Sequence, residues 1–188
     1  MHTPITIREI TIRHCKLIPR FRGKYTGGGV DVDLDNLFVS ISDGHNTGYG
    51  EGNPTSILYP PGHIGRSSID EWQTLLDICR KLPGQDACRL GHLIPDEIRC
   101  NDTNTIIDTV DFALHDLVGR HGGLPVAVLP GDIPCEQVYM EVYGMKSFIT
   151  DPYEIRDGKI FIRQAPGLGV TPDMDAIDKI TLKKETFR

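Results

Sequence analysis

Long cationic runs are missing from this chain. Across 188 residues none exceeds a pair such as Lys183-Lys184, and the formal net charge is −6. A nucleic-acid groove needs clustered cations to displace counterions, so that class of partner is excluded. Long apolar runs are missing too: no stretch approaches the ~20 residues that cross a bilayer. The opening Met1-His2-Thr3-Pro4 leads into Ile alternating with polar residues instead of a signal-peptide core. No membrane association is expected, and a cytoplasmic location is. The five cysteines (Cys15, Cys79, Cys88, Cys100 and Cys135) are odd in number and unevenly spaced, which argues against a disulfide framework. They read as free, mostly buried thiols, and the sequon Asn101-Asp102-Thr103 reads as chance. There is no internal repeat and no low-complexity segment.

What is present suits one compact domain, or one and a fraction. Hydrophobic residues make up 39% and charged ones 24%, enough to bury a core. Ile5 to Ile12 alternates apolar and polar residues, the period of a half-buried strand. Pro19 to Gly29, rich in Gly and cations, predicts a loop. A second strand is expected near Leu37–Ile41 and a third at Thr47–Glu51, joined at an Asp43-Gly44 turn. Asn53 to Arg66 is another loop. A helix should follow, opened by overlapping capping boxes, Ser67 with Asp70 and Ser68 with Glu71. It shows Trp72, Leu75, Leu76 and Cys79 on one face and stops at Pro83-Gly84. The strongest helical pattern runs from Thr103 to His121, with Ile106, Ile107, Val110, Ala113, Leu114 and Leu117 on one stripe and Gly122-Gly123 as its stop. Gln137–Tyr143 and Lys159–Ile162 read as strands, and a short terminal helix is expected from about Asp173. The fold class is α+β: a three-stranded antiparallel meander sheet packed on a small helical bundle.

Several stretches, in order, carry a family resemblance. Ser42-Asp43-Gly44 and then Gly48-Tyr49-Gly50-Glu51 resemble a D-D-G turn followed by G-W-G-E. Val110-Asp111-Phe112-Ala113-Leu114-His115-Asp116, Gly119-Arg120, Leu124-Pro125-Val126 and Leu129-Pro130-Gly131 resemble the run A-x-D-x-A-L-W-D-x-x-G-K, L-P-V, L-L-G-G. Pro166-Gly167-Leu168-Gly169-Val170 resembles a closing segment. Jointly these are similar to the mandelate racemase/muconate-lactonizing branch of the enolase superfamily. His115 for Trp, and Pro130-Gly131-Asp132 where L-G-G is usual, are departures. The resemblance implies an N-terminal capping domain over residues 1–131, a remnant first barrel strand and linker over 132–156, and a closing segment over 157–188 that returns to the cap. Only Asp132 to Arg156 separates the two signatures. A complete (β/α)-barrel takes roughly 200–250 residues and cannot fit there.

That absence bears on chemistry. Full-length members abstract a proton α to a carboxylate, with Mg²⁺ held by three acidic residues on barrel strands and a Lys or His as base. No K-x-K motif occurs in this chain. The resemblance therefore implies a truncated or internally deleted relative of isomerases and lyases (racemase, epimerase, cycloisomerase or dehydratase), inactive alone, with no catalytic or metal-binding residue of its own. Mg²⁺ is expected only in a full-length relative. The family's substrate-gating loop maps to Arg20, Arg22, Lys24 and Tyr25, whose cations suit a small carboxylate if a barrel is supplied. Phe21 and residues 53–59 accompany it. The competing reading is a non-catalytic module that self-associates through the exposed cap face.

Other constellations are weaker. Asp151, Glu154 and Asp157 read as a solvated linker rather than a cation cage. Cys88-x3-His92, with Cys79 and Cys100 nearby, lacks the paired close spacings of a zinc site. Asp111 and His115 form an i, i+4 structural pair. Gly48-x-Gly50-x-Gly52 leads into prolines rather than a helix, so it is not a dinucleotide fingerprint.

Overall fold

The fold was obtained as a computed structural model. It describes residues 3–17, 34–52, 70–96, 98, 105–126, 148–151, 154–156, 159–161 and 163–188. The gating-loop residues Arg20, Arg22, Lys24 and Tyr25, the loop at 53–66, Ser67, Ser68, Cys100, Cys135 and the expected strand at 137–143 lie outside the described residues.

The elements are β1 (Glu9–Leu17), β2 (Leu34–Ser42), β3 (Thr47–Gly52), α1 (Glu71–Cys79), a 3-10 turn at Leu90–His92, α2 (Thr105–Gly122), β4 (Glu154–Arg156), β5 (Lys159–Phe161), α3 (Met174–Ile180) and β6 (Thr181–Phe187). The chain is α+β, as the alternation of strand and helix periods implies. Its main sheet is antiparallel and carries a fourth strand, in the order β3-β2-β1-β6, while β4 and β5 pair separately. No barrel forms among the described residues.

Period-two patterning decides which sheet face is apolar. Ile10 and Ile12 of β1 and Leu37, Val39 and Ile41 of β2 enter one core with Leu75, Ile78 and Cys79 of α1 and Val110, Ala113, Leu114 and Leu117 of α2. The intervening residues face the other way. There Cys15 and Phe38 form a smaller cluster with Ile177 of α3, flanked by Tyr49, Phe148, Met174 and Ile180. Arg13, also buried, donates from Nε to Asp178 of α3 at 2.7 Å. That bond fixes the short helix over the second face.

The expected first strand is displaced. Pairing within the sheet begins at Glu9, and the earlier half of the alternation pairs with a loop instead. The Ile7 amide donates to Gln85 at 2.9 Å, and the Gly84 and Ala87 amides donate to Ile7 and Ile5 at 2.8 Å each. Ile5 and Ile7 are still buried, so their period was informative about burial rather than about strand partners. Helix α1 opens at Glu71 with Asp70 as its cap, while Ser67 and Ser68 of the expected boxes lie outside the described residues. Asp70 is extended (φ −75°, ψ 97°), and its carboxylate accepts the Gln73 amide at 3.0 Å. The tail also departs from expectation: the helix ends at Ile180, and the last residues form β6 against β1.

The Gly-x-Gly of β3 has a packing role. A Cβ on Gly48 would collide with the Ala113 carbonyl and Leu117 backbone, and one on Gly50 with the Thr109 carbonyl. Glycine here lets α2 lie directly on the strand backbone. Replacing Gly50 with Ala should lower stability by about 1–3 kcal/mol, since the packed helix must move away. The check is a fall in the urea midpoint at unchanged slope.

Candidate functional site

The described polar residues converge where β3, the end of α2 and the closing segment meet. Asp116 lies one turn before Arg120 on α2, and its side chain is fully buried. Burial opposes its charge and pushes its pKa up; the Leu168 amide, Arg120 and the Tyr49 amide work in the other direction. Its Oδ2 accepts the Tyr49 amide at 2.9 Å and Arg120 Nε at 2.9 Å, and Oδ1 accepts the Leu168 amide at 2.6 Å. One carboxylate thus ties strand, helix and tail together. The tail can approach because Gly167 and Gly169 take positive φ, 69° and 71°. A Cβ on Gly167 would strike Asp116 itself.

Arg120 extends this clip. Nη2 donates to the Val170 carbonyl at 2.6 Å, and the guanidinium lies over the Tyr49 ring, 5.4 Å from its centroid. Tyr49 in turn stacks on Phe38 at 5.9 Å. A second anchor sits alongside. Asp151 accepts the Thr171 amide at 3.0 Å and is also bonded to Arg163 and the Thr150 hydroxyl. The Thr171 amide, followed by Arg163, outweighs desolvation and holds Asp151 below the usual carboxylate range. Between these anchors runs a groove of about 540 Å³, lined by residues 45–47, Tyr49, Arg120, Asp151 and, in the tail, residues 165–166 and 169–171.

The β2–β3 turn is pinned to the same helix end. Asp43 Oδ1 accepts the amides of His45 (2.8 Å) and Asn46 (2.6 Å), while His121 Nδ1 donates to Oδ2 at 2.7 Å. Burial works against the charged form, yet these donors outweigh it and hold Asp43 well below the ordinary carboxylate range.

The sequence-derived candidates fare differently. Asp151 is an anchor of the tail. The side chain of Glu154 and all of Asp157 lie outside the described residues. Cys79 is buried and its thiol is pushed far up by desolvation; Cys88 is raised by burial and by Asp86. Among the described residues no three His, Cys, Asp or Glu side chains converge as metal ligands. His115 Nδ1 donates to the Asp111 carbonyl at 2.8 Å and stands 3.6 Å from its carboxylate, the structural pairing expected. Sequence reasoning missed the joint roles of Tyr49, Asp116 and Arg120. Their only local signal was an Asp-x3-Arg spacing beside a helix stop, with a Gly-x-Gly tail far along the chain.

At the level of sequence no family model matches the chain, and no curated protein does. Solved structures do match. A dipeptide epimerase from Cytophaga hutchinsonii, complexed with Mg and the dipeptide D-Ala-L-Val, aligns over 68% of this chain and 34% of its own, with 22% identity and a TM-score of 0.53. L-Talarate dehydratase from Polaromonas sp. JS666, complexed with Mg and L-glucarate, aligns over 69% and 36%, with 21% identity and a TM-score of 0.50. An N-succinyl Arg/Lys racemase from Bacillus cereus ATCC 14579 aligns over 64% and 32%, with 22% identity and a TM-score of 0.50. The chain therefore shares its fold with part of each of these three proteins. It spans about a third of the length of each of these structures.

Removing the Asp116 carboxylate should break all three ties at once. Asp116→Ala is expected to cost about 3–5 kcal/mol, because Arg120 and two amides lose their acceptor. Hydrogen exchange should then show the Leu168 and Val126 amides losing protection before those of β1. Uniform loss across the chain would contradict the clip. The depressed Asp43 pKa gives a second prediction. Its stabilising contribution is fully present above the ordinary Asp value of about 3.9 and is lost as pH falls below that. Between about pH 6 and about pH 3 the urea midpoint should drop more for the native chain than for Asp43→Asn. At neutral pH that variant should itself cost about 1–3 kcal/mol.

Proposed function

We propose that this chain is the substrate-gating cap of an enolase-superfamily isomerase or lyase, present without its catalytic barrel and inactive alone. One observation carries the reading. The Val126 amide donates to the Gly167 carbonyl, and Ile149 bridges Pro172. The point where the chain leaves α2 and the point where it returns thus lie on one tail stretch, within about 20 Å at full extension. Neighbouring exit and return points are the geometry that accepts an inserted domain. Residues 127–147 separate them here, far fewer than the roughly 200 a barrel needs. In this reading residues 1–131 are the cap, 132–156 the remnant strand and linker, and 157–188 the segment that closes back onto it.

The superfamily's Mg²⁺ does not fit the described residues. Asp151 already serves the tail, and no three potential ligands converge. What the cap would contribute is selection: Arg20, Arg22, Lys24 and Tyr25 would meet a small carboxylate if a barrel were supplied. Racemase, epimerase, cycloisomerase and dehydratase all stay open as the parent reaction. Incubating the chain in deuterium oxide with Mg²⁺ and acid sugars, hydroxy acids or dipeptides should give no α-proton exchange. Measurable exchange abolished by chelation would overturn the assignment.

A second reading, a self-associating module, draws on Leu124 and Leu182, large apolar side chains that are 48% and 57% exposed. Leu124 stands beside the exit point, where an inserted domain would begin. Sedimentation across a concentration series should show a dimer on this reading, and a monomer throughout would remove it.

A further inference from the structure

We propose that the groove between the β2–β3 turn and the closing segment is a receptor for a small carboxylate, with Arg120 as its centre. The inference does not rest on the capping function.

Arg120 is held from three directions. Asp116 takes Nε, the Val170 carbonyl takes one Nη2 hydrogen, and the Tyr49 ring supports the face of the guanidinium. Tyr49 is itself backed by Phe38 and fixed through its amide to Asp116. A free arginine loses considerable rotamer freedom on binding an anion. Here that loss has already been incurred in folding, so the fork is preorganised. Nη1 meets no acceptor among the described residues, and Arg120 lines the groove.

The surroundings supply further donors. The imidazole of His45 and the hydroxyls of Thr47 and Tyr49 have no hydrogen-bond partner among the described residues, and all three residues line the groove. The nearest acids are already engaged: Asp116 by Arg120 and two amides, Asp151 by Arg163 and the Thr171 amide. Each carboxylate is paired with an arginine, and that of Asp151 stays 45% exposed in the groove wall. A planar carboxylate matches the remaining guanidinium hydrogens. At about 540 Å³ the groove has room for a dicarboxylate of a few carbons. Because Asp116 offsets much of the arginine's charge, binding should be weak, with a Kd on the order of 1 mM.

The probe is malonate, titrated into the whole isotopically labelled chain with ionic strength matched by sodium chloride. The expected result is saturable shifts confined to residues 45–49, Arg120 and 165–171, including the Arg120 Nε–H. Arg120→Lys retains a cation for Asp116 but loses the fork, and should weaken binding at least tenfold. His45→Ala combined with Thr47→Val leaves the clip intact and should weaken it at least threefold. Shifts that follow ionic strength alone, or saturable binding that the His45/Thr47 pair leaves unchanged, would overturn the proposal. If Arg120→Lys fails to fold, the double variant still decides.

Discussion

One buried carboxylate ties the third strand, the principal helix and the tail together. Asp116 is placed by α2, and its acceptors are used by an amide 67 residues earlier and another 52 residues later. A buried carboxylate without donors would be very costly, so its burial demands that β3 and the tail be in position together. The glycines around it follow from the same demand. Gly48 and Gly50 admit the helix to the strand, and Gly167 admits the tail to the carboxylate. The polar junction is therefore a consequence of close backbone approach at three places.

This constraint also organises the second face of the sheet. Once Leu168 and Val170 are fixed, the chain runs through the Asp151 anchor to α3, where Asp173 caps the helix by accepting the Ala176 amide. Arg13 then meets Asp178, and β6 lies along β1. The tail thus covers a face that the period-two pattern leaves half apolar and half polar. An inserted domain would leave and return beside this same clip, so the element that closes the fold would also set the position of anything inserted there.

Much of the core was legible in the sequence. The alternation in β1 and β2 and the part of the α2 stripe from Val110 to Leu117 reported burial correctly, and the Gly122-Gly123 stop matched the end of the helix. The packing role of the Gly48-x-Gly50 pattern was not foreseen. The fourth strand was missed for a physical reason. Between its ends β6 is exposed, so Thr181 to Phe187 shows no apolar alternation for a period argument to detect. The displaced start of β1 has a related cause: Ile5 and Ile7 are buried by a loop, and burial alone does not reveal a strand's partner.

The sequence by itself determined the α+β class, the order of β1 to β3, the principal helix and the shortage of residues for a barrel between the two family-like segments. These follow from local periods, turn residues and length, each readable within a short window. Only the tertiary structure decided that Asp116 is the hub, that Arg120 is held against Tyr49 and Val170, and that the tail ends as a strand. Those outcomes depend on which backbone amides reach a buried charge from more than fifty residues away. No local pattern encodes that choice, because it is made by the packing of α2 on β3 and the closure of the tail over both.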